Sequence, residues 1–121
     1  TVPIGTAKKA KAFCKEHSKV PIEIINNPEF LRQGAALEDF LNPDRVVIGC
    51  ESSEAREVMY EIYKPFIKDE KSILFMDNTS AEMTKYAANS FLAMKISFIN
   101  ELALLADKLG ANIEDVRAGF T

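Results

Sequence analysis

Histidine and cysteine are scarce in this chain. His17 stands alone, and Cys14 and Cys50 are the two cysteines. His17 falls in a charged helix end, which favours a solvated role over catalysis. The cysteines form no Cys-x-x-Cys pair. They read as reduced packing residues in a cytoplasmic protein rather than as a disulfide or a zinc knuckle. Nothing has metal-ligand spacing, so no metal is expected. No run of basic residues occurs, and a net charge of −3 argues against a nucleic-acid surface. A Gly-x-Gly-x-x-Gly phosphate loop is also missing. No charged-then-apolar leader opens the chain at Thr1-Val2-Pro3, so no signal peptide is expected. The stretch from Tyr86 to Ala106 is long enough to span a bilayer, but Asn89, Lys95, Asn100 and Glu101 interrupt it. No membrane partner is expected.

What is present suits an ordinary globular protein of 121 residues, 47% hydrophobic and 27% charged. Gly5 to Ser18 reads as a helix with Ala7, Ala10, Phe13 and Cys14 on one face. Pro21 opens a short strand, Ile22 to Ile25, and a helical turn or two surrounds Ala35 to Leu41. Val46-Val47-Ile48 has the all-apolar character of a strand covered on both faces. Ser52 or Ser53 caps a helix whose Ala55, Val58, Met59, Ile62, Tyr63 and Phe66 repeat at helical spacing, and Pro65 closes it. Ile73 to Met76 predicts another buried strand. Thr79 and Glu82 then fit a capping box for a long helix that stops at Gly110, and Asn112 caps a last short helix. Short apolar strands alternating with amphipathic helices mean α/β with a parallel sheet. At about 1.5 Å per residue the long helix would run roughly 45 Å. It is apolar on nearly every side, which suggests a spine between domains or subunits and a piece of a larger protein.

Within Ala81-Glu82-Met83-Thr84-Lys85-Tyr86-Ala87-Ala88-Asn89, Lys85 and Asn89 stand one turn apart on one helix face. An ammonium and a carboxamide directed into an apolar place are costly unless something there needs two donors, as a developing oxyanion would. Alternatively, Lys85 reaches solvent and Asn89 bonds the helix backbone. The strand at Ile22–Ile25 runs into Asn26-Asn27-Pro28-Glu29-Phe30-Leu31-Arg32-Gln33-Gly34, placing Glu29 and Gln33 at the carboxyl edge of the sheet, where ligands bind. Glu29 could serve there as a general base, or it could simply pair with Arg32.

Together these residues carry a resemblance. Asn-Pro-Glu-Phe-Leu-Arg-x-Gly, the run Asn42-Pro43-Asp44-Arg45-Val46-Val47-Ile48-Gly49, and Ala-Glu-Met-Thr-Lys-Tyr-Ala-Ala-Asn are similar to the UDP-glucose/GDP-mannose dehydrogenase family, in its UDP-glucose 6-dehydrogenase branch. Lys95-Ile96-Ser97-Phe98-Ile99-Asn100-Glu101 and the opening Thr1-Val2-Pro3-Ile4-Gly5-Thr6 fit the same pattern. The resemblance implies the C-terminal part of a Rossmann-like parallel sheet domain, residues 1–78, followed by a long central α-helix that starts the middle, dimerising domain, residues 79–121. It implies NAD as cofactor, UDP-glucose as substrate, and a homodimer or higher homo-oligomer through the long helix. The family oxidises the sugar C6 hydroxyl to a carboxylate in two hydride transfers, through a cysteine thiohemiacetal and thioester. On that resemblance Lys85 stabilises the oxyanion or relays a proton, and Asn89 adds a donor. Glu29 does acid–base work through a water, and Thr1 positions that water beside the cofactor. The loop from Phe30 through Leu31 to Arg32 contacts the sugar nucleotide, and Gln33 sits near sugar and cofactor.

Two departures follow from the resemblance. Most relatives have glutamate where this chain has Gln33, and an amide cannot transfer a proton. The family's phosphate loop and nucleophilic cysteine segment are both missing, since neither Cys14 nor Cys50 has that cysteine's context. The chain by itself is therefore expected to bind NAD poorly and to be inactive. Two rivals stand beside this reading: a sister enzyme acting on GDP-mannose, and a non-catalytic oligomerisation module.

Overall fold

Residues 1–121 are all described by the computed structural model. Thr6–His17 forms α1, Ala36–Leu41 α2, Val46–Gly49 β1, Ser53–Tyr63 α3, Ile73–Met76 β2, Asn78–Leu109 α4 and Ile113–Phe120 α5, with a 3-10 turn at Glu70–Ser72. β1 and β2 are parallel, with Val46 opposite Ile73 and Gly49 opposite Met76. The chain crosses between them through α3, the connection that parallel neighbours require. The α/β class with a parallel sheet is therefore observed. By compactness the chain divides into Thr1–Tyr86 and Ala87–Thr121.

In the first unit Val46, Ile48, Cys50, Ala55 and Ile73 form the core, with Ile25, Met59, Tyr60 and Tyr63 packed against it. Val47 and Ile48 point to opposite faces of β1 and are both fully buried, so this strand is covered on both sides. Gly49 ends β1 with the start of α4 in close contact. A Cβ there would stand 2.6 Å from the Ala81 Cβ and 2.9 Å from the Asn78 Cα, so only glycine fits. Ser52 caps α3, its hydroxyl accepting the Ala55 N–H at 3.1 Å.

Four expectations are corrected. Ile22–Ile25 is not a strand: its segment makes only an antiparallel bridge between Asn26 and Gly49. The Asn78 side chain replaces a neighbouring strand there. Its amide donates to the Ile24 carbonyl at 3.0 Å and accepts the Asn26 N–H at 2.9 Å. β2 is half covered rather than buried, with Leu74 42% exposed. The periodic helix faces are also only part used, because Phe13, Val58 and Ile62 are exposed. Phe13 instead stacks on His17, ring centroids 4.2 Å apart. Finally, Thr79 and Glu82 make no capping box. Asp77 caps α4, its carboxylate accepting the Ser80 N–H at 2.9 Å and hydroxyl at 2.6 Å.

In the second unit, the rest of α4 ends at Gly110, whose φ of 71° suits the left-handed stop. Asn112 then caps α5 by accepting the Glu114 N–H at 2.9 Å. Phe98 and Phe120 meet edge to face at 6.1 Å within this unit. No helix is long and apolar enough to cross a membrane.

Candidate active site

The site is built where the end of the Ile22–Asn26 segment meets the first two turns of α4. Lys85 stands on the second turn and is 7% exposed. It does not reach solvent. Its Nζ donates to the backbone carbonyl of Glu29 and, at 3.0 Å, to Glu29 Oε1. The ammonium also lies 5.2 Å from the Phe30 ring centroid, and the Arg45 guanidinium lies 4.6 Å from the same centroid. A buried ammonium thus has its charge matched by a carboxylate, a carbonyl and an aromatic ring.

Glu29 is paired with Lys85 and not with Arg32. Its other oxygen accepts the Leu31 N–H at 2.8 Å. That backbone bond first, and the Lys85 bond next, hold its carboxyl below the ordinary glutamate range, so Glu29 is an anion at neutral pH. Arg32 instead forks onto Asp39, with Nη2 donating to Oδ1 at 2.6 Å and its backbone N–H to Oδ2 at 2.8 Å. This brace ties the loop to α2.

Two cavities flank the loop, and Asn27, Pro28 and Glu29 line both. The smaller, about 230 Å³, also touches Thr1, Glu82 and Lys85. The larger, about 360 Å³, is lined by Phe30, Leu31, Arg32, Arg45 and Tyr63 among others and lacks Lys85. The smaller one is the candidate for chemistry despite its size, because Thr1 and Lys85 both line it. The structure therefore gathers Thr1, Glu29 and Lys85 around one cavity and Phe30, Leu31 and Arg32 around its neighbour. Gln33 does not join them; it is exposed in the turn before Gly34, outside both cavities. Asn89 is exposed on α4, in the second unit, and bonds no backbone group.

Sequence reasoning missed the roles of two buried polar residues beside the site, one of them read only as part of a capping box. Asn78 and Glu82 are buried at 7% and 2% exposure, and both hold backbone more than fifty positions away. The only signal for Glu82 was a carboxylate placed between Ala81 and Met83 in a run otherwise fit for a core.

This arrangement suits stabilisation of an oxyanion. An ammonium shielded from water and already oriented interacts strongly with developing negative charge. Glu29 could exchange a proton through a water admitted to the cavity.

Known proteins resemble this chain along its length. Residues 1–67 match the model of the UDP-glucose/GDP-mannose dehydrogenase family, NAD binding domain, and residues 79–121 match the central domain of the same family. The chain is 48% identical to a UDP-glucose 6-dehydrogenase of Rhizobium meliloti, over 99% of this chain and 28% of that protein. A UDP-glucose dehydrogenase structure from the hyperthermophilic archaeon Pyrobaculum islandicum aligns at a TM-score of 0.85 and 46% identity, over 96% of this chain and 27% of that one. A ternary complex of GDP-mannose dehydrogenase from Pseudomonas aeruginosa aligns at 0.86 and 29% identity, over 98% and 28%. The chain therefore spans little more than a quarter of the length of these relatives.

Proposed function

We propose, from the premise that this chain belongs to the UDP-glucose/GDP-mannose dehydrogenase family, that it is part of an NAD-dependent enzyme oxidising UDP-glucose to UDP-glucuronate. The observation that carries the reading is the buried Lys85 ammonium, held by Glu29 at the cavity that Thr1 lines.

The overall change removes four electrons from a C6 alcohol. Two hydrides leave for two NAD molecules, and one water supplies the second carboxylate oxygen. The alcohol and thiohemiacetal hydroxyls become more acidic beside Lys85, whose positive charge favours the oxyanion, and the same charge stabilises the tetrahedral oxyanion when water hydrolyses the thioester. Glu29 accepts or returns a proton through a water, and its anionic state leaves it free to accept. The loop at Phe30, Leu31 and Arg32 contacts the sugar nucleotide, braced from behind by Asp39. Asn89 is the further donor that the family resemblance implies. The thiohemiacetal and thioester form on a cysteine other than Cys14 and Cys50, neither of which lines the cavity.

The residues present fit one end of NAD and not its phosphates. Thr1 and the backbone around Asn26 could hold the nicotinamide end at the smaller cavity, where the cofactor supplies the hydride acceptor. No phosphate loop is available in this chain. At the start of α1, where a phosphate would be favoured, Glu82 already takes the Gly5 and Ala7 N–H groups. The chain by itself is therefore inactive on this reading. We take residues 1–78 as part of the NAD-binding domain and 79–121 as the start of the central domain. The exposed apolar side chains of α4 support pairing of protomers into a homodimer or larger homo-oligomer. NAD chemistry and two unpaired cysteines suit the cytoplasm, and the glucuronate suits polysaccharide synthesis.

GDP-mannose is the second reading, supported by the equally close backbone of a GDP-mannose dehydrogenase. Identity of 46–48% against 29% favours UDP-glucose. The test is NADH formation by the complete gene product with each nucleotide sugar. Two NADH per UDP-glucose support the proposal. Turnover with GDP-mannose alone moves the protein to the sister branch, and silence with both returns the scaffold reading to the lead.

A further inference from the structure

The carboxylate of Glu82 has no part in the reading above, yet it is among the most buried charged groups of the chain. It stands one turn before Lys85 on α4 and lines the same cavity as Thr1, Glu29 and Lys85. Glu82 Oε2 accepts the Gly5 N–H at 2.5 Å, and Oε1 accepts the Ala7 N–H at 2.8 Å. Gly5 has φ of 90°, a conformation that side-chain-bearing residues resist, and this directs its N–H inward. The same turn is closed a second time on the Pro3 carbonyl, which accepts the Thr6 N–H at 3.1 Å and hydroxyl at 2.6 Å. A carboxylate on two free N–H groups at a helix start is also where the helix dipole favours negative charge. Thr1 and Val2 thus lead into a turn held at Pro3, Gly5, Thr6 and Ala7, and the tie from Gly5 and Ala7 ends on the helix that carries Lys85.

We propose that Glu82 is a positioning residue: it hooks the Pro3–Ala7 turn onto α4 and so keeps Thr1 at the cavity that Lys85 lines. Both its oxygens are taken by backbone N–H groups, so it acts through Thr1. What Thr1 meets there rests on the dehydrogenase reading; the hook itself does not. A carboxylate that merely tied α1 to α4 would support stability and leave ligand affinity alone.

The experiment uses the complete gene product with Glu82→Gln. The amide keeps the shape and one acceptor but turns a donor toward a backbone N–H, so one leg of the hook is lost. Amide exchange at Gly5 and Ala7 should quicken, and the NAD dissociation constant should rise about tenfold, as small misplacements do. Affinity for UDP-glucose should change little. A folded Glu82→Gln protein with wild-type NAD affinity overturns the proposal, whatever its thermal stability. Gly5→Ala gives an independent test should that variant fail to fold. An added Cβ meets nothing within 4 Å, so the change strains φ and withdraws the N–H without crowding. Loss of NAD affinity in Gly5→Ala supports the hook, and wild-type affinity overturns it. NADH formation by the unmodified protein is followed in parallel. Its absence rejects the dehydrogenase reading while exchange and NAD affinity still decide the hook.

Discussion

In residues 1–86 the chain buries Asn78, Glu82 and Lys85, each hydrogen-bonded to a distant segment, while residues 87–121 leave Phe91, Leu92, Met94, Ile96, Phe98, Leu104 and Leu105 more than half exposed. One region hides polar groups and the other displays apolar ones. Burial follows available partners rather than hydropathy alone. The first region supplies carbonyls, N–H groups and a carboxylate within reach of each polar side chain, so burying them costs little. The second is a single helix end and one short helix, with little of its own to cover an apolar surface. A helix that is hydrophobic all round ordinarily belongs inside a larger assembly. On the proposed function the first region carries the chemistry and the second the association.

That division can be broken most directly at Lys85. In the complete gene product, Lys85→Met should lower turnover by at least about a hundredfold, because it removes the oriented charge at the oxyanion. Sedimentation should show assembly unchanged. Lost assembly with retained turnover would reverse the division.

Next in size is Gly49→Ala. Its Cβ must displace Ala81 or the Asn78 backbone, for a loss of about 2–3 kcal/mol. A shift of the denaturant midpoint to lower concentration, with the slope unchanged, measures it.

On the proposed pairing of protomers through α4, Leu92→Glu should weaken self-association about tenfold or more, since an unpaired charge would enter that interface. Sedimentation equilibrium reads the constant. Turnover per remaining assembled protein should be kept.

A smaller effect concerns pH. Glu29 has its carboxyl lowered in the folded state, so its contribution is fully present above the ordinary glutamate value and is lost as pH falls through the folded one. Glu29→Gln should therefore flatten the decline of stability on the acid side. The change will be modest, because 57% of the Glu29 side chain is exposed and solvent screens the pair. Urea midpoints from neutral to acid pH, compared between the two proteins, give the answer.

The smallest shift is expected for Gln33→Glu, which introduces the charge that the family resemblance implies at this position. From its exposed position it should move the pH–rate profile by roughly a few tenths of a unit. Superimposable profiles would remove this position from any account of protonation.

The local signals in the sequence were good guides where structure is local. The all-apolar Val46-Val47-Ile48 gave β1, Ser52 gave the cap of α3, Gly110 and Asn112 gave the break between α4 and α5. Lys85 and Glu29 were legible through their motifs, but their mutual pairing was not, because nothing local links positions 29 and 85. Extended backbone at Ile22–Ile25 looks like a strand in either case. Only the Asn78 amide, supplied from the start of α4, decides that the segment is held by a side chain instead. The apparent capping box failed for a related reason. Glu82 has the right spacing from Thr79, yet Gly5 and Ala7 offer it two N–H groups out of water, and Asp77 leaves the cap already filled.

The way Glu29 holds Lys85 sets a limit on traffic through the cavity. An ammonium has three hydrogens and no lone pair to accept with. One is engaged by the Glu29 carbonyl and another by its carboxylate. While the loop keeps that grip, a single hydrogen remains for an arriving oxygen. On the proposed function a sugar hydroxyl and a water would then occupy it in turn, the order of arrivals imposed by valence before any difference in affinity comes into play.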